Sequence, residues 1–460
     1  MGEPSLSPSP LVGEGKGEGV AVVLKLFAGS VRTGVRAEGA SRSVRNGGNG
    51  LFTDRFPLLF GPHQMKRSNT MKVAIMKLQA MVAVGFFILV TATAAKSMGA
   101  TPAIYALGKL PGDDISEGYA VSADGLTAVG RTVGSSAYQA FRWTATDGMS
   151  GLGFLPNMTE SEALAVSADG SVIVGGSYGE QRRAFLWTQA GGMTNLGSLS
   201  GLAYSLATGV SSDGSVVVGS CHQLKPTRVW KAFRWTSEGG MTDLGHLAGG
   251  SYIDVKGVSE DGSVIVGTSG SATGNQGFRW TAATGMVGLS DLPGGDMWSK
   301  ALAVSADGSV VVGSSSSAAF PLGEAFVWTQ QSGMVGLGNL TWQGASNPQS
   351  EARAVSSDGS VVVGWGYGTD GAVFIWDTQH GMRNLRDVLT NDYYLDLNGW
   401  GSLISAQGVS ADGLTIIGDA HGPSPGNSEA FVAVTPEPAT LALLAAGLGA
   451  MWVRKRRVTG

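Results

Sequence analysis

The chain of 460 residues contains 72 glycines and 16 prolines and is 43% hydrophobic and 14% charged. That apolar share excludes a fully disordered chain, the glycine excludes long helices through most of it, and one cysteine, Cys221, excludes an intramolecular disulfide or a zinc cluster. Charge is uneven: residues 101–434 hold 15 Lys and Arg against 29 Asp and Glu, a balance of −14, while residues 1–100 carry +7 and residues 435–460 carry +3. An acidic body repels phosphate backbones, so no nucleic-acid partner is expected.

Residues 1–64 are rich in Gly, Ser, Pro and Arg, as in SLSPSPLVGEGKGEG and SRSVRNGGNG, and show no helix or strand period. Translation is expected to begin at Met65 or Met71, with the upstream stretch read from a start codon placed too early. A disordered cytoplasmic extension is the alternative. Residues 65–100 have the pattern of a secretory signal peptide. Lys72 and Lys77 open it, residues 81–95 form an apolar core too short for a comfortable span, and Ala94, Ala95, Gly99 and Ala100 offer cleavage sites.

From there the chain repeats. The string (A/G)-V-S-x-D-G occurs seven times, at Asp124, Asp169, Asp213, Asp261, Asp307, Asp358 and Asp412, with successive spacings of 45, 44, 48, 46, 51 and 54 residues. Each copy runs into a β-branched stretch closed by glycine, such as SVIVG at 171–175. Then comes A-F-x-W-T, as at 140–144 and 184–188, and G-M-x-x-L-G-x-L, as at 192–199. Asp-Gly between short apolar runs signals a hairpin, the β-branched stretch suits a strand packed on both faces, and Phe and Trp two apart leave one face of a strand together. Four short strands in about 45 residues is the size of a propeller blade. The pattern resembles the HAF-repeat extracellular proteins of bacteria over residues 103–434.

Closure of the array follows from its ends. In the seventh copy Ala433 stands where six copies carry Trp, and no G-M-x-x-L-G precedes Pro436. The missing element lies at the front, in Ile104-Tyr105-Ala106-Leu107-Gly108-Lys109-Leu110-Pro111-Gly112. The expectation is an all-β, seven-bladed β-propeller over residues 101–434, closed by its N-terminal strand, with 105–110 paired to the strand near Phe431 and Val432. An open β-solenoid is the alternative. Between Leu385 and Ala411 a longer connection, rich in Tyr, Asn, Asp and Trp, is expected to form a short helix near 385–389 and either to line a groove or to plug the seam.

The candidate chemistry is sparse. The seven aspartates each offer one carboxylate beside serine, which suits a side-chain-capped turn rather than a calcium loop. Their Ser-x-Asp-Gly hairpins are similar to the Asp-box of sialidases in those residues alone, so no catalytic residue carries over. His222, His246 and His380 lie on different repeats without ligand spacing and are read as turn or surface residues. Asp113-Asp114 and Glu160-Ser161-Glu162 are read as exposed acidic pairs, Cys221 as a buried or idle thiol, and Arg142, Arg234 and Arg279 as half-buried strand positions. No metal, cofactor or catalytic residue is expected.

At the C-terminus, Pro436-Glu437-Pro438 is followed by an apolar, helix-prone run at 439–453 and by Arg454-Lys455-Arg456-Arg457. Residues 435–460 resemble the PEP-CTERM sorting signal of Gram-negative bacteria. That resemblance implies an exosortase partner, passage through an inner-membrane intermediate held by a transmembrane helix at 439–453, and release to the cell surface or outside. A plain tail anchor is the alternative. The expected function is thus an exported, non-enzymatic propeller acting as a structural or exopolysaccharide-binding module of the surface or extracellular matrix. The alternative is a secreted carbohydrate-active enzyme, a glycoside hydrolase or lyase with a rim active site.

Overall fold

Each repeat becomes four neighbouring antiparallel strands in a computed structural model that describes residues 101–435, apart from 136, 226, 341–347, 367–371 and 423–427. The segments read as an early start (1–64) and a signal peptide (65–100) lie outside the described residues. So do Pro436, Glu437 and Pro438, the 439–453 run and Arg454 to Arg457. Among the described residues no helix is long and apolar enough to cross a membrane.

In the first repeat the strands Ile115–Val121, Thr127–Val133, Tyr138–Thr144 and Gly148–Gly151 pair in sequence order. Five further repeats follow the same order, the second and third joined by one parallel bridge between Tyr204 and Arg182. The last set takes Leu403–Val409, Thr415–His421 and Ser428–Val434 from the end of the chain and Ala103–Ala106 from its start. Ala103 stands opposite Val434 and Ala106 opposite Phe431. The N-terminal strand is therefore shorter and earlier than the 105–110 expected from sequence. Leu107 still donates its N–H to the Ala430 carbonyl (2.9 Å), but Gly108, at φ 74°, turns the chain away.

Packing between repeats explains the aromatic pair. Phe185 and Trp187 lean on Val129 and Ala140 of the preceding repeat, Phe233 and Trp235 on Val174 and Ala184, and Phe141 and Trp143 on Ile417, Ala430 and Val432 of the last. Each such phenylalanine is fully buried, and full burial stabilises it by about 1.5–3 kcal/mol relative to an exposed ring. Buried serines staple the same seams: Ala140 donates to Ser161 Oγ (3.0 Å), Ala184 to Ser205 (2.9 Å), Ala325 to Ser350 (2.8 Å) and Ala430 to Ser116 (3.0 Å).

The inner strands touch in a cycle, with Ile115–Val121 meeting both Glu160–Val166 and Leu403–Val409. At one end the hairpin turns repeat that cycle as hydrogen bonds. Ala168 donates to Ser212, Ser212 to Glu260, Glu260 to Ala306, Ala306 to Ser357, Ser357 to Ala411, Ala411 to Ala123 and Asp124 to Ala168, at 2.9 to 3.4 Å. The molecule is an all-β, propeller-like arrangement of four-stranded sheets around an axial channel.

The long connection after the sixth repeat forms one α-helical turn, Leu385–Asp387, capped by Asn384, and a π-helical turn, Val388–Asp392. Leu385, Val388, Leu389 and Leu397 are buried against Phe431 and Ala433, and Trp400 meets Phe431 edge-on at 6.3 Å. Ala433 stands where the other repeats carry Trp, and the apolar residues of the connection pack in the same cluster, so the connection plugs the seam.

Candidate functional site: the axial mouth

All seven inner strands slip register against the second strand at one shared place, between Gly118 and Ala120 in the first and between Ala406 and Gly408 in the last, which slips a second time between Leu403 and Ser405. The skipped residues are Tyr119, Leu164, Thr208, Lys256, Leu302, Arg353 and Gln407, and all seven line the channel. A bulge re-aims a side chain and bends its strand. Here it also drives a carbonyl onto the glycine that closes the β-branched stretch: a Cβ on Gly175 would sit 1.9 Å from Glu162 O and one on Gly313 1.9 Å from Lys300 O.

Below the bulges the channel narrows from a cavity of about 260 Å³ to one of about 150 Å³ lined by Val121, Val166 and their equivalents. That narrow end holds the seven repeat aspartates, which the structure places in the hairpin turns and away from the mouth. Each accepts from the serine hydroxyl two residues before it (2.5 to 2.8 Å) and from the N–H two residues after it (2.9 to 3.0 Å). The Ser211 hydroxyl, with the N–H and hydroxyl of Ser215, holds the Asp213 carboxyl down to about 2.

Above the bulges the channel opens into a mouth of about 880 Å³. Two carboxylates line it and both are paired: Asp254 holds Lys256 at 2.9 Å and Glu351 holds Arg353 at 2.6 Å. Next to its Tyr119, Glu117 and Glu162 share Arg131 at 2.7 and 3.2 Å. The Tyr119 hydroxyl donates to Glu117 and the Tyr178 hydroxyl to Glu162. Burial, and then the neighbouring glutamates, push both phenols well above their ordinary range; burial and Glu160 raise Tyr138 to about 12. Arg131 lies 4.9 Å from the centre of the Tyr138 ring. Behind this wall Asp419 accepts from the Gly118 N–H (2.9 Å) and the Ser405 hydroxyl (2.7 Å), and burial raises its carboxyl to about 6.

An aromatic stack ends at Tyr252, which lines the mouth. Tyr204 stacks on His222 at 4.9 Å, His222 on Trp230 at 4.6 Å, and Trp230 meets Tyr252 edge-on at 5.3 Å. His222 therefore lies within the strand Val216–Gln223 rather than in a turn, and burial with nearby Arg182 lowers its pKa. His246 Nε2 is 2.6 Å from the Trp230 carbonyl oxygen, so His222 and His246 belong to the same third repeat and both lie against Trp230, not on different repeats as expected, whereas His380 Nδ1 is 2.9 Å from Asp377 in the sixth. Glu162, expected to be exposed, is drawn into the channel wall by Arg131, and Ser161 beside it is buried. Asp114 is exposed and Asp113 partly so. Cys221 is buried in an apolar core, which pushes its thiol up, and Arg142, Arg234 and Arg279 are half-buried. Among the described residues no group of three His, Cys, Asp or Glu could hold a metal ion.

The bulge residues were missed from sequence, although a signal exists. Five positions before each repeat aspartate the residue changes from copy to copy while its neighbours recur. A paired, hydrogen-bond-rich wall beside aromatic faces suits holding a polar ligand.

A model of the PEP-CTERM protein-sorting motif matches residues 434–457. No curated protein matches the chain. Among solved structures, TolB from Acinetobacter baumannii aligns at 14% identity over 59% of this chain and 62% of that one, with a TM-score of 0.40. An oligogalacturonate lyase in complex with manganese aligns at 11% identity over 73% and 93% with a TM-score of 0.48, and the Dos1 propeller at 11% over 68% and 77% with 0.38.

Proposed function

We propose that the chain is an exported seven-bladed β-propeller of HAF-type repeats, closed by Ala103–Ala106, that an exosortase sorts to the cell surface or extracellular matrix. There it works as a non-enzymatic structural or exopolysaccharide-binding module. The PEP-CTERM match over 434–457 carries this reading, because that motif is the signal for exosortase processing and implies export through the membrane. In the proposed route the signal peptide at 65–100 starts export, the apolar run at 439–453 holds an inner-membrane intermediate, and Arg454 to Arg457 keep its end cytoplasmic. By their chemistry Pro436 and Pro438 disfavour regular helix or strand, which in this route would suit presentation of Glu437 to the processing enzyme.

Binding is favoured over carbohydrate cleavage by the pairing of Glu117, Glu162, Asp254 and Glu351 with cations, which fits recognition better than proton transfer. Replacing Pro436, Glu437 and Pro438 with alanine tests the sorting step. In an exosortase-bearing host the variant should accumulate full-length in the inner membrane. Shortening and release like the parent would leave a plain tail anchor as the better account.

A further inference from the structure

We propose that the mouth binds an acidic polysaccharide, with the Lys300 ammonium pairing a sugar carboxylate and the Trp298 ring stacking on the sugar face. This rests on the exopolysaccharide-binding reading and names the class of polymer.

The two sides of the mouth differ. On the side of the first two repeats, Arg131 is held by Glu117, Glu162 and the rings of Tyr119 and Tyr138, and its charge is answered within the protein. On the side of the fourth to sixth repeats, Lys256, Lys300 and Arg353 face two carboxylates, Asp254 and Glu351. Those two are taken by Lys256 and Arg353. Lys300 is left without a carboxylate among the described residues; its Nζ lies 5.7 Å from the centre of the Trp298 ring. The side chain is exposed, Trp298 is half-buried, and both line the 880 Å³ cavity, a volume in the range of small-ligand sites.

Chemistry then selects the occupant. An indole face offers the flat apolar surface on which the C–H face of a pyranose can rest, while Thr268 and Asn275 line the same cavity and can meet sugar hydroxyls. A neutral sugar would leave Lys300 without a partner. A uronic acid supplies one at the distance between its ring and its carboxylate. The body as a whole, at −14 over residues 101–434, disfavours polyanions, so a local surplus of cation is where an anionic unit gains. The attraction sits at an exposed cation and should weaken with added salt.

The test uses the full chain in detergent and calorimetric titration with mannuronate and glucuronate-containing tetrasaccharides. Each is set against the same sugar with its carboxyls reduced to alcohols, and an Asp/Glu hexapeptide is a third arm. The acidic sugars should bind at least tenfold more tightly than their reduced forms. That difference should vanish in Lys300→Gln, persist in Lys300→Arg and shrink at high salt, with all variants melting at the parent's temperature. Trp298→Ala should weaken acidic and reduced sugars alike. Equal binding of acidic and reduced sugars, unaffected by Lys300→Gln, would overturn the acidic selectivity and leave exopolysaccharide binding standing. Binding of the peptide alone, or of no sugar at all, would overturn both.

Discussion

Burial of Asp419 between the last and first repeats ties the seam to pH. Its carboxyl titrates near 6 when folded, against an ordinary value of 3.8. Between about pH 4 and 6 the unfolded chain has therefore released a proton that the folded chain keeps, and stability falls as pH rises through that window, by on the order of 3 kcal/mol from this group. The repeat aspartates work the other way and in a lower window. Hydrogen bonds depress Asp169, Asp213, Asp261, Asp307 and Asp358, so their contribution is present above about pH 4 and is lost on acidification below it. Asp419→Asn keeps an oxygen for the Gly118 N–H and removes the buried charge. Urea unfolding at pH 4 and pH 7 should show the variant losing less stability than the parent between the two. An identical loss would show that Asp419 does not titrate there. None of this was legible in the sequence, because Asp419 lies in no motif and its burial depends on Gly118, 301 residues away, as well as on Ser405 of the neighbouring strand.

The strands themselves were legible because turn chemistry and side-chain period agree. Asp-Gly marks every first hairpin, the β-branched stretch marks the second strand, and Phe and Trp two apart mark the third. The bulge was not legible. It depends on how closely two backbones approach, and its trace in the sequence is a glycine that reads equally well as the end of a strand. That glycine has little room: a Cβ on Gly313 would overlap Lys300 O, and rigid backbone on one side lets nothing yield. Gly313→Ala should destabilise by about 3 kcal/mol or more and disturb the Lys300 site through the same carbonyl. Thermal melting compared with Gly285→Ala, a glycine with φ 63° and open space around it, separates loss of room from loss of backbone freedom. Equal effects at the two positions would contradict the close-approach account. The connection at 385–411 was legible as an irregularity, and its inward turn as a plug shows only in its packing against Phe431 and Ala433.

At the scale of the molecule, closure depends on Ala103–Ala106 lying beside Ser428–Val434. An open ring would present the edge of that strand and uncover Leu107 and its neighbours. Deleting residues 101–112 should therefore lower the melting temperature by several degrees and promote aggregation, more than deleting an equally long surface loop. Indifference to the deletion would mean that the last set of strands is stable without its fourth member. The repeat and its circular complement were visible in sequence because they recur. The axial mouth was not, since its residues differ from copy to copy and converge only when the inner strands are set side by side.

The export reading, on which the proposed role depends, is tested most directly by the intact mass of the chain released from an exosortase-bearing host. The account predicts a species lacking residues 439–460 outside the cell, and a membrane-bound species retaining them when the exosortase is deleted. A released species that still ends at Gly460, or one shortened identically without the exosortase, would contradict it.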